Sequence, residues 1–390
     1  MKIGILTLHS QLNYGGVLQA FASQEALRRL GHDVSVIDRW LNPDNTPFRN
    51  YVSRGIRSLP FLVNYLFSDD LGGSYKRIKG TRNFLHQYLH LTPYSFFNWN
   101  ELPPEKLDFD LIFVGSDQVW NPYFNDRFAY FLKDVPREVP AVAYAASFGV
   151  HKIPEEKAVD FRTGIQRFSA ITVREREGKQ LVEQLGGHAE HVCDPVLLLS
   201  KNDWCEKLGV REQKTSRRLL CYILGEDLSS ILPDLFAFAR KEKCFVDIFV
   251  AHLGAPFSFS ARKLFPYLPE FTAMRKKIRL RLSADPVEFL RSIASADYVL
   301  TDSFHALMFS AIFGRNIRIL FPKNPIRSGM FSRLEEWQER FIDGNLFCQD
   351  AREALRELTR SKISYKQREI EAFVADSQKT LSQLLQYGRK

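Results

Sequence analysis

The sequence predicts an α/β protein of two Rossmann-like, doubly wound domains facing each other across a cleft. Three observations carry this expectation. Short apolar runs alternate with segments of helical period along most of the chain, the pattern of parallel strands joined by crossover helices. A polar, charged stretch beginning at Ser200 interrupts the alternation, which starts again at "LLCYILG". A length of 390 residues is more than one core comfortably serves and fits two domains. The expected division is 1–205 (with an insertion at about 42–105), 206–345, and a tail, 346–390, whose helix packs back on the first domain.

The elements follow in order. "KIGILTL" reads as a buried strand. Behind it comes "LNYGGVLQAFA", where two glycines leave bare backbone before a good helix former. Val17 to Leu30 places Leu18, Phe21, Ala22, Ala26 and Leu27 on one side of a helix, which Gly31 ends. "DVSVID", "DLIFVG" (110–115), "AVAYAAS" (141–147) and "AITVRE" (170–175) are further strands, with helices over Glu155–Phe168 and Arg176–Leu185. The region 42–105 breaks the pattern and reads as a helical insertion or a mobile lid. The second half gives helix 229–241, strand 244–250, helix 285–296, strand 298–301, helix 305–313 and strand 317–321. In the tail, Ile370, Phe373, Val374, Leu381, Leu384 and Leu385 recur at helical spacing and predict one long final helix.

Composition narrows the function. With 45% hydrophobic and 25% charged residues, the chain reads as a soluble globular enzyme. No stretch approaches the ~20 apolar residues of a membrane span. The first apolar run stops at Leu8, before His9, Gln11 and Asn13, and does not resemble a signal peptide. The expectation is a cytoplasmic protein. Five widely spaced cysteines without a CxxC pair argue against a disulfide framework and a structural zinc site, and His191 beside Cys193 is too little for a metal. A net charge of +9 implies an anionic partner. Basic residues concentrate in "RKKIRLR" (275–281) and between Arg49 and Arg82, where Tyr51, Phe61, Tyr65, Phe67 and Tyr75 are interleaved. No nucleic-acid-binding signature accompanies them. A solvated face and peripheral contact with acidic lipid at the inner face of a membrane both fit.

Four junctions at strand ends carry chemistry, and in doubly wound sheets such ends line the crevice. Asn13, Tyr14, Gly15 and Gly16 follow the first strand. They match neither a dinucleotide fingerprint nor a P-loop, leaving a tight turn or a helix start that receives an anion or a sugar hydroxyl. Gly115, Ser116, Asp117, Gln118 and an exposed-looking Trp120 combine hydroxyl, carboxylate, amide and indole, which suits a sugar; an N-cap with a core tryptophan is the other reading. Arg174 ends a strand as a candidate anion grip, while Asp194-Pro195 reads as a turn. Asp302, Ser303 and His305 lie between a strand and an apolar helix, where an imidazole can serve as acid or base. Arg327, Ser328 and Arg333 downstream add anion-binding groups.

Together "NYGGVLQAFA", "GSDQVWNP", "AYAASFG", "VREREG", "CDPVLLL" and "ADYVLTDSFHALMFSAIFG" resemble the polysaccharide pyruvyl transferase family over roughly residues 1–345. The resemblance implies a GT-B-like pair of domains. It also implies transfer of the pyruvyl group of phosphoenolpyruvate to sugar hydroxyls, giving a cyclic ketal for bacterial surface polysaccharide such as exopolysaccharide or capsule. On that implication His305, Asp117 and Asp302 are the catalytic candidates. Arg174, Ser303, Arg327 and Arg333 hold the donor. Asn13, Tyr14, Gly15, Gly16, Gly115, Ser116, Gln118 and Trp120 hold the acceptor, a sugar or lipid-linked oligosaccharide. No metal or further cofactor is expected. One departure stands out: better-studied members carry arginine two residues before the histidine, where this chain has Ser303. A nucleotide-sugar glycosyltransferase and a non-catalytic sugar- or lipid-binding protein are the alternatives.

Overall fold

The computed structural model describes residues 1–10, 13–40, 73–124, 127–213, 216–225, 227–250, 261–321 and 331–389. The strands form two six-stranded sheets, parallel throughout. The first contains β1 (Lys2–Leu6), β2 (Asp33–Val36), β3 (Leu111–Val114), β4 (Ala141–Ala146), β5 (Ala170–Val173) and β6 (Glu190–His191), in the order β2-β1-β3-β4-β5-β6. The second contains β7 (Arg218–Ile223), β8 (Phe245–Val250), β9 (Ile278–Arg281), β10 (Tyr298–Thr301), β11 (Asn316–Leu320) and β13 (Phe347–Cys348), in the order β13-β11-β10-β7-β8-β9. A two-residue β12 (Ile342–Asp343) pairs antiparallel with β14 (Ser364–Tyr365). Strand order reverses between β1 and β3 in one sheet and between β7 and β10 in the other, and crevices open at such switch points.

The longer helices are α1 (Tyr14–Arg29), α2 (Gly73–Tyr88), α3 (Ala158–Ile165), α4 (Arg176–Gln184), α5 (Lys201–Leu208), α6 (Leu228–Lys241), α7 (Leu268–Met274), α8 (Pro286–Ser295), α9 (Phe304–Phe313), α10 (Ser332–Phe341), α11 (Ala351–Arg360) and α12 (Gln367–Leu384). The expected strands and helices occur within a few residues of their predicted bounds. Buried parallel strands read as continuous apolar runs, and the chain supplies them.

Three details depart from expectation. Helix α1 starts at Tyr14, so both glycines lie in its first turn, and every residue from Tyr14 to Leu27 is buried. It is wedged between the first sheet and α8 of the second domain. Tyr14 stacks on Phe289 with ring centroids 4.5 Å apart and donates to the Ala284 carbonyl at 2.9 Å. The tail holds two helices, not one long helix. Asn316 Nδ2 donates to the Leu358 carbonyl at 2.8 Å and Arg318 Nη2 to that of Ser361 at 3.0 Å. These side chains take up carbonyls at the end of α11, where the chain turns into β14. Helix α11 lies on the second domain against α6 and β11, whereas α12 reaches the first, where Ser377 Oγ accepts from the Cys193 amide at 2.9 Å. Finally, "RKKIRLR" contains β9, with Arg279 bonded to Asp247 at 2.8 Å and Arg281 close to Glu288 at 3.4 Å. Two of its cations therefore serve internal pairs. The basic-aromatic stretch through residue 72, with Arg49, Arg54 and Arg57, lies outside the described residues. Among the described residues no helix is long and apolar enough to cross a membrane.

Candidate functional site

The two switch points face each other. From the first domain come the start of α1, the loop after β3, the end of β5 and the turn after β6; from the second comes the β10–α9 junction.

Gly15 shows how closely they meet. A Cβ built there would lie 2.2 Å from Nδ1 of His305, so bare backbone is required because the imidazole occupies that space. At Gly16 the obstacle is the Leu8 carbonyl at 2.6 Å, with Asp117 Oδ2 at 3.4 Å. Gly15→Ala is expected to push the imidazole off the helix start or part the domains. Overpacking of this kind costs about 1–3 kcal/mol. Reduced thermal stability together with reduced turnover would register it, and unchanged values of both would refute the contact.

Behind the imidazole lies a buried ion-pair string. Arg174, whose side chain is fully buried, donates Nη2 to Asp117 Oδ1 at 3.0 Å and Nη1 to Asp194 Oδ2 at 2.7 Å. His305 Nε2 stands 3.6 Å from that same Asp194 oxygen and has no hydrogen-bond partner among the described residues. The Ser116 hydroxyl lies 3.0 Å from the Ala145 carbonyl and 3.3 Å from Asp194 Oδ2. Phe304 is flanked by two guanidinium groups, Arg174 at 5.1 Å and Arg333 at 4.9 Å from its ring centroid.

The electrostatics follow from burial and pairing. Burial alone would raise the Asp194 carboxyl, but His305 and Arg174 outweigh it and hold the group well below the usual carboxylate range. Asp117 is likewise lowered, with burial opposed by Arg174, His305 and Arg333. Arg174 is raised because its carboxylates overcome desolvation. Burial pushes Arg333 down to about 10, helped by the charge of Arg174. Glu175 is the exception among the acids: burial raises it, and Arg174 and Arg333 offset this only in part.

Several sequence candidates occupy places other than an open cleft. Trp120, expected to be exposed, is fully buried against Phe131, Phe148 and Phe168, because the loop after Asp117 turns inward. Tyr14 pins the domain interface, and Asn13 caps α1 by accepting from the Gly15 amide at 3.1 Å. Gly115 has φ +119, and a Cβ there would lie 2.2 Å from the Tyr144 carbonyl, so its glycine is a backbone requirement. Ser116 is fully buried, and Gln118 accepts from Asn121 Nδ2 at 2.7 Å. Asp302 accepts from the amides of Leu224 and Gly225 at 2.6 Å each, closing the β7–β10 switch point. Ser303 caps α9, its hydroxyl accepting from the Ala306 amide at 3.4 Å. Arg174, expected to grip an anion directly, is instead enclosed by the carboxylates of Asp117, Asp194 and Glu175. Arg327 and Ser328 lie outside the described residues.

Sequence reasoning missed Asp194 as a site residue. Its signal was its place directly after "HVC", three residues past the strand end at His191, and the proline behind it suggested only a turn. His191 lies between Arg340, at 3.2 Å from Nδ1, and the Arg174 carbonyl, at 3.3 Å from Nε2. Among the described residues no group of three or more His, Cys, Asp or Glu is arranged to hold a metal ion.

Solved structures share this layout. The UDP-GlcNAc 2-epimerase from Methanocaldococcus jannaschii gives a TM-score of 0.56 at 14% identity over 100% of both chains. The UDP-GlcNAc 2-epimerase from Neisseria meningitidis gives 0.53 at 11% over 99% of both. That from Rickettsia bellii gives 0.52 at 12%, over 98% of this chain and 95% of the other. At these identities the likeness establishes the fold, the GT-B arrangement of two facing domains. No curated protein matches the sequence. The model of the polysaccharide pyruvyl transferase family matches residues 13–319, a span that contains Gly15, Asp117, Arg174, Asp194 and His305, and the chain belongs to that family.

Proposed function

We propose that the protein transfers the pyruvyl group of phosphoenolpyruvate to two hydroxyls of a sugar, forming a cyclic ketal and releasing phosphate. The observation that carries this reading is the meeting of His305 from one domain with the Asp117–Arg174–Asp194 string of the other. Ketal formation needs acid–base chemistry beside an anion-binding surface, and this junction supplies both.

The reaction begins when a proton adds to the methylene carbon C3, leaving oxocarbenium character at C2. A sugar hydroxyl attacks C2 and gives up its proton to a base. The C2–O bond to phosphate breaks, and a second hydroxyl closes the ring, its proton leaving with phosphate. His305 is the base for the hydroxyl or the acid for departing phosphate. Asp117 is held ionised by Arg174, and both Asp302 oxygens accept from amides, so neither is poised to give a proton. Glu175 is the carboxyl here that burial raises, with Oε1 accepting from the Phe148 amide at 3.1 Å and Oε2 standing 3.6 Å from Arg174 Nε, and it is the candidate acid for C3.

Donor binding then falls to Arg333 and the helix-start amides of α1 and α9. Arg333 packs on Phe304, next to Ser303, and so brings a guanidinium beside the position where the family arginine is missing. Arg174 acts one step back, holding the two carboxylates.

The test is incubation with phosphoenolpyruvate and a panel of soluble and lipid-linked oligosaccharides. The expected results are phosphate release that depends on acceptor, a mass gain of one pyruvate ketal, and activity that survives chelation. Release of nucleoside diphosphate from UDP-GlcNAc, with no phosphate from phosphoenolpyruvate, would replace this reading with glycosyl transfer. For a lipid-linked acceptor the reading includes peripheral contact with acidic lipid, seen as co-sedimentation with anionic but not neutral liposomes at low salt.

A further inference from the structure

We propose that Gln19 is a positioning residue that, with Thr7, clamps the Ser116 peptide and thereby holds Asp117 in its working place. Where it concerns catalysis, the inference rests on the function proposed above. Gln19 lies on α1 and is fully buried, so its amide must find partners within the protein. It finds three. Oε1 accepts from the Ser116 amide at 3.2 Å, and Nε2 donates to Thr7 Oγ1 at 2.7 Å and to the Gly16 carbonyl at 2.8 Å. Thr7 Oγ1 in turn donates to the Ser116 carbonyl at 3.1 Å. The N–H and C=O of Ser116 are thus gripped from the end of β1 and from α1.

The directions of these bonds are determined. The Thr7 hydroxyl has one proton and gives it to Ser116, so it must receive one from residue 19. A primary amide meets every demand here. An ionised carboxylate of the same shape cannot donate, and an apolar side chain can do neither.

The clamp matters because Asp117 is the next residue in the chain. Asp117 has φ +68, in the left-handed region that strains a non-glycine residue. Released from the Ser116 peptide, the residue can relax and carry its carboxylate away from Arg174. The same amide also holds Gly16, in the turn where Gly15 meets His305. One side chain therefore sets the register of Asp117 and of the His305 contact, although it touches neither.

Gln19→Met keeps length and removes both hydrogen-bonding functions. It is expected to lower kcat about 10²-fold, the scale of a 1 Å misplacement, with a much smaller change in donor KM. Gln19→Glu is expected to be active while its carboxyl is protonated and to lose activity as pH rises through the titration of that carboxyl, an inflection absent from the wild type. Thr7→Val should lose about as much as Gln19→Met, and the double variant little more than either, since both break one clamp. Wild-type kcat in Gln19→Met, an unchanged pH profile in Gln19→Glu, or fully additive losses would reduce Gln19 to core packing. The proposed function fails separately, if the wild type releases no phosphate from phosphoenolpyruvate. In that event hydrogen exchange at the Ser116 amide still decides: faster exchange in Gln19→Met supports the clamp, and equal rates overturn it.

Discussion

His305→Asn is expected to lower turnover about 10²–10⁴-fold, the usual contribution of a general acid–base group, while the protein stays folded. The geometry supports both halves of that expectation. The imidazole reaches the junction of the two domains with Nε2 3.6 Å from Asp194 and without a hydrogen-bond partner among the described residues. A ring serving only structure would be expected to satisfy that nitrogen. Ser303 caps α9 through its own hydroxyl, so the helix start does not depend on residue 305. Asparagine keeps a polar group against Gly15 and leaves less of a void than alanine. Acceptor-dependent phosphate release under saturating donor, read beside a thermal melt, tests both parts. Turnover within a few fold of wild type would make His305 a packing residue at the interface.

Much of this arrangement was legible in the sequence, for definable reasons. Strands such as "DLIFVG" and "AVAYAAS" are buried on both faces and read as apolar runs. Asp117 and His305 stood out because polar residues directly after such runs fall at the carboxyl ends of a parallel sheet. What stayed hidden depends on tertiary partners. β9 looks like a charged patch because Arg279 and Arg281 alternate with Ile278 and Leu280, and the partners Asp247 and Glu288 lie on other elements. Helix α1 looked one-sided because Gln19, Ser23, Gln24 and Glu25 are polar, yet each is buried, and the bonds of Gln19 run to the strand-end loops. The location of Trp120 could not be read locally, since the phenylalanines that enclose it lie up to 48 positions away, from residue 120 to 168. Arg174 was recognisable as a strand-end cation, but the two carboxylates it hydrogen-bonds come from positions 117 and 194, which only the folded sheet brings together.

Arg174→Met is expected to destabilise the protein by about 3–5 kcal/mol, because removing one partner of a buried ion pair leaves the other charges uncompensated. Here the two carboxylates that Arg174 hydrogen-bonds are stranded. Asp117 and Asp194 share that guanidinium and are themselves buried, and the His305 imidazole stands 3.6 Å from Asp194. The pH dependence gives the signature. In the wild type these carboxyls are lowered by pairing, so they contribute stability above the unfolded carboxyl value of about 3.9 and lose it as pH falls through their folded values. Without Arg174, burial acts with less opposition and raises both groups. Protonation then occurs at higher pH and relieves the stranded charge. The deficit of the variant is therefore largest near neutrality and shrinks as the solution is acidified toward about pH 4, opposite to the loss the wild type suffers over its own acid transition. Denaturant melts of both proteins across that range measure it. A deficit independent of pH would show that Arg174 contributes packing against Phe304 rather than charge, and a variant as stable as wild type would remove the ion-pair string from the account of the site.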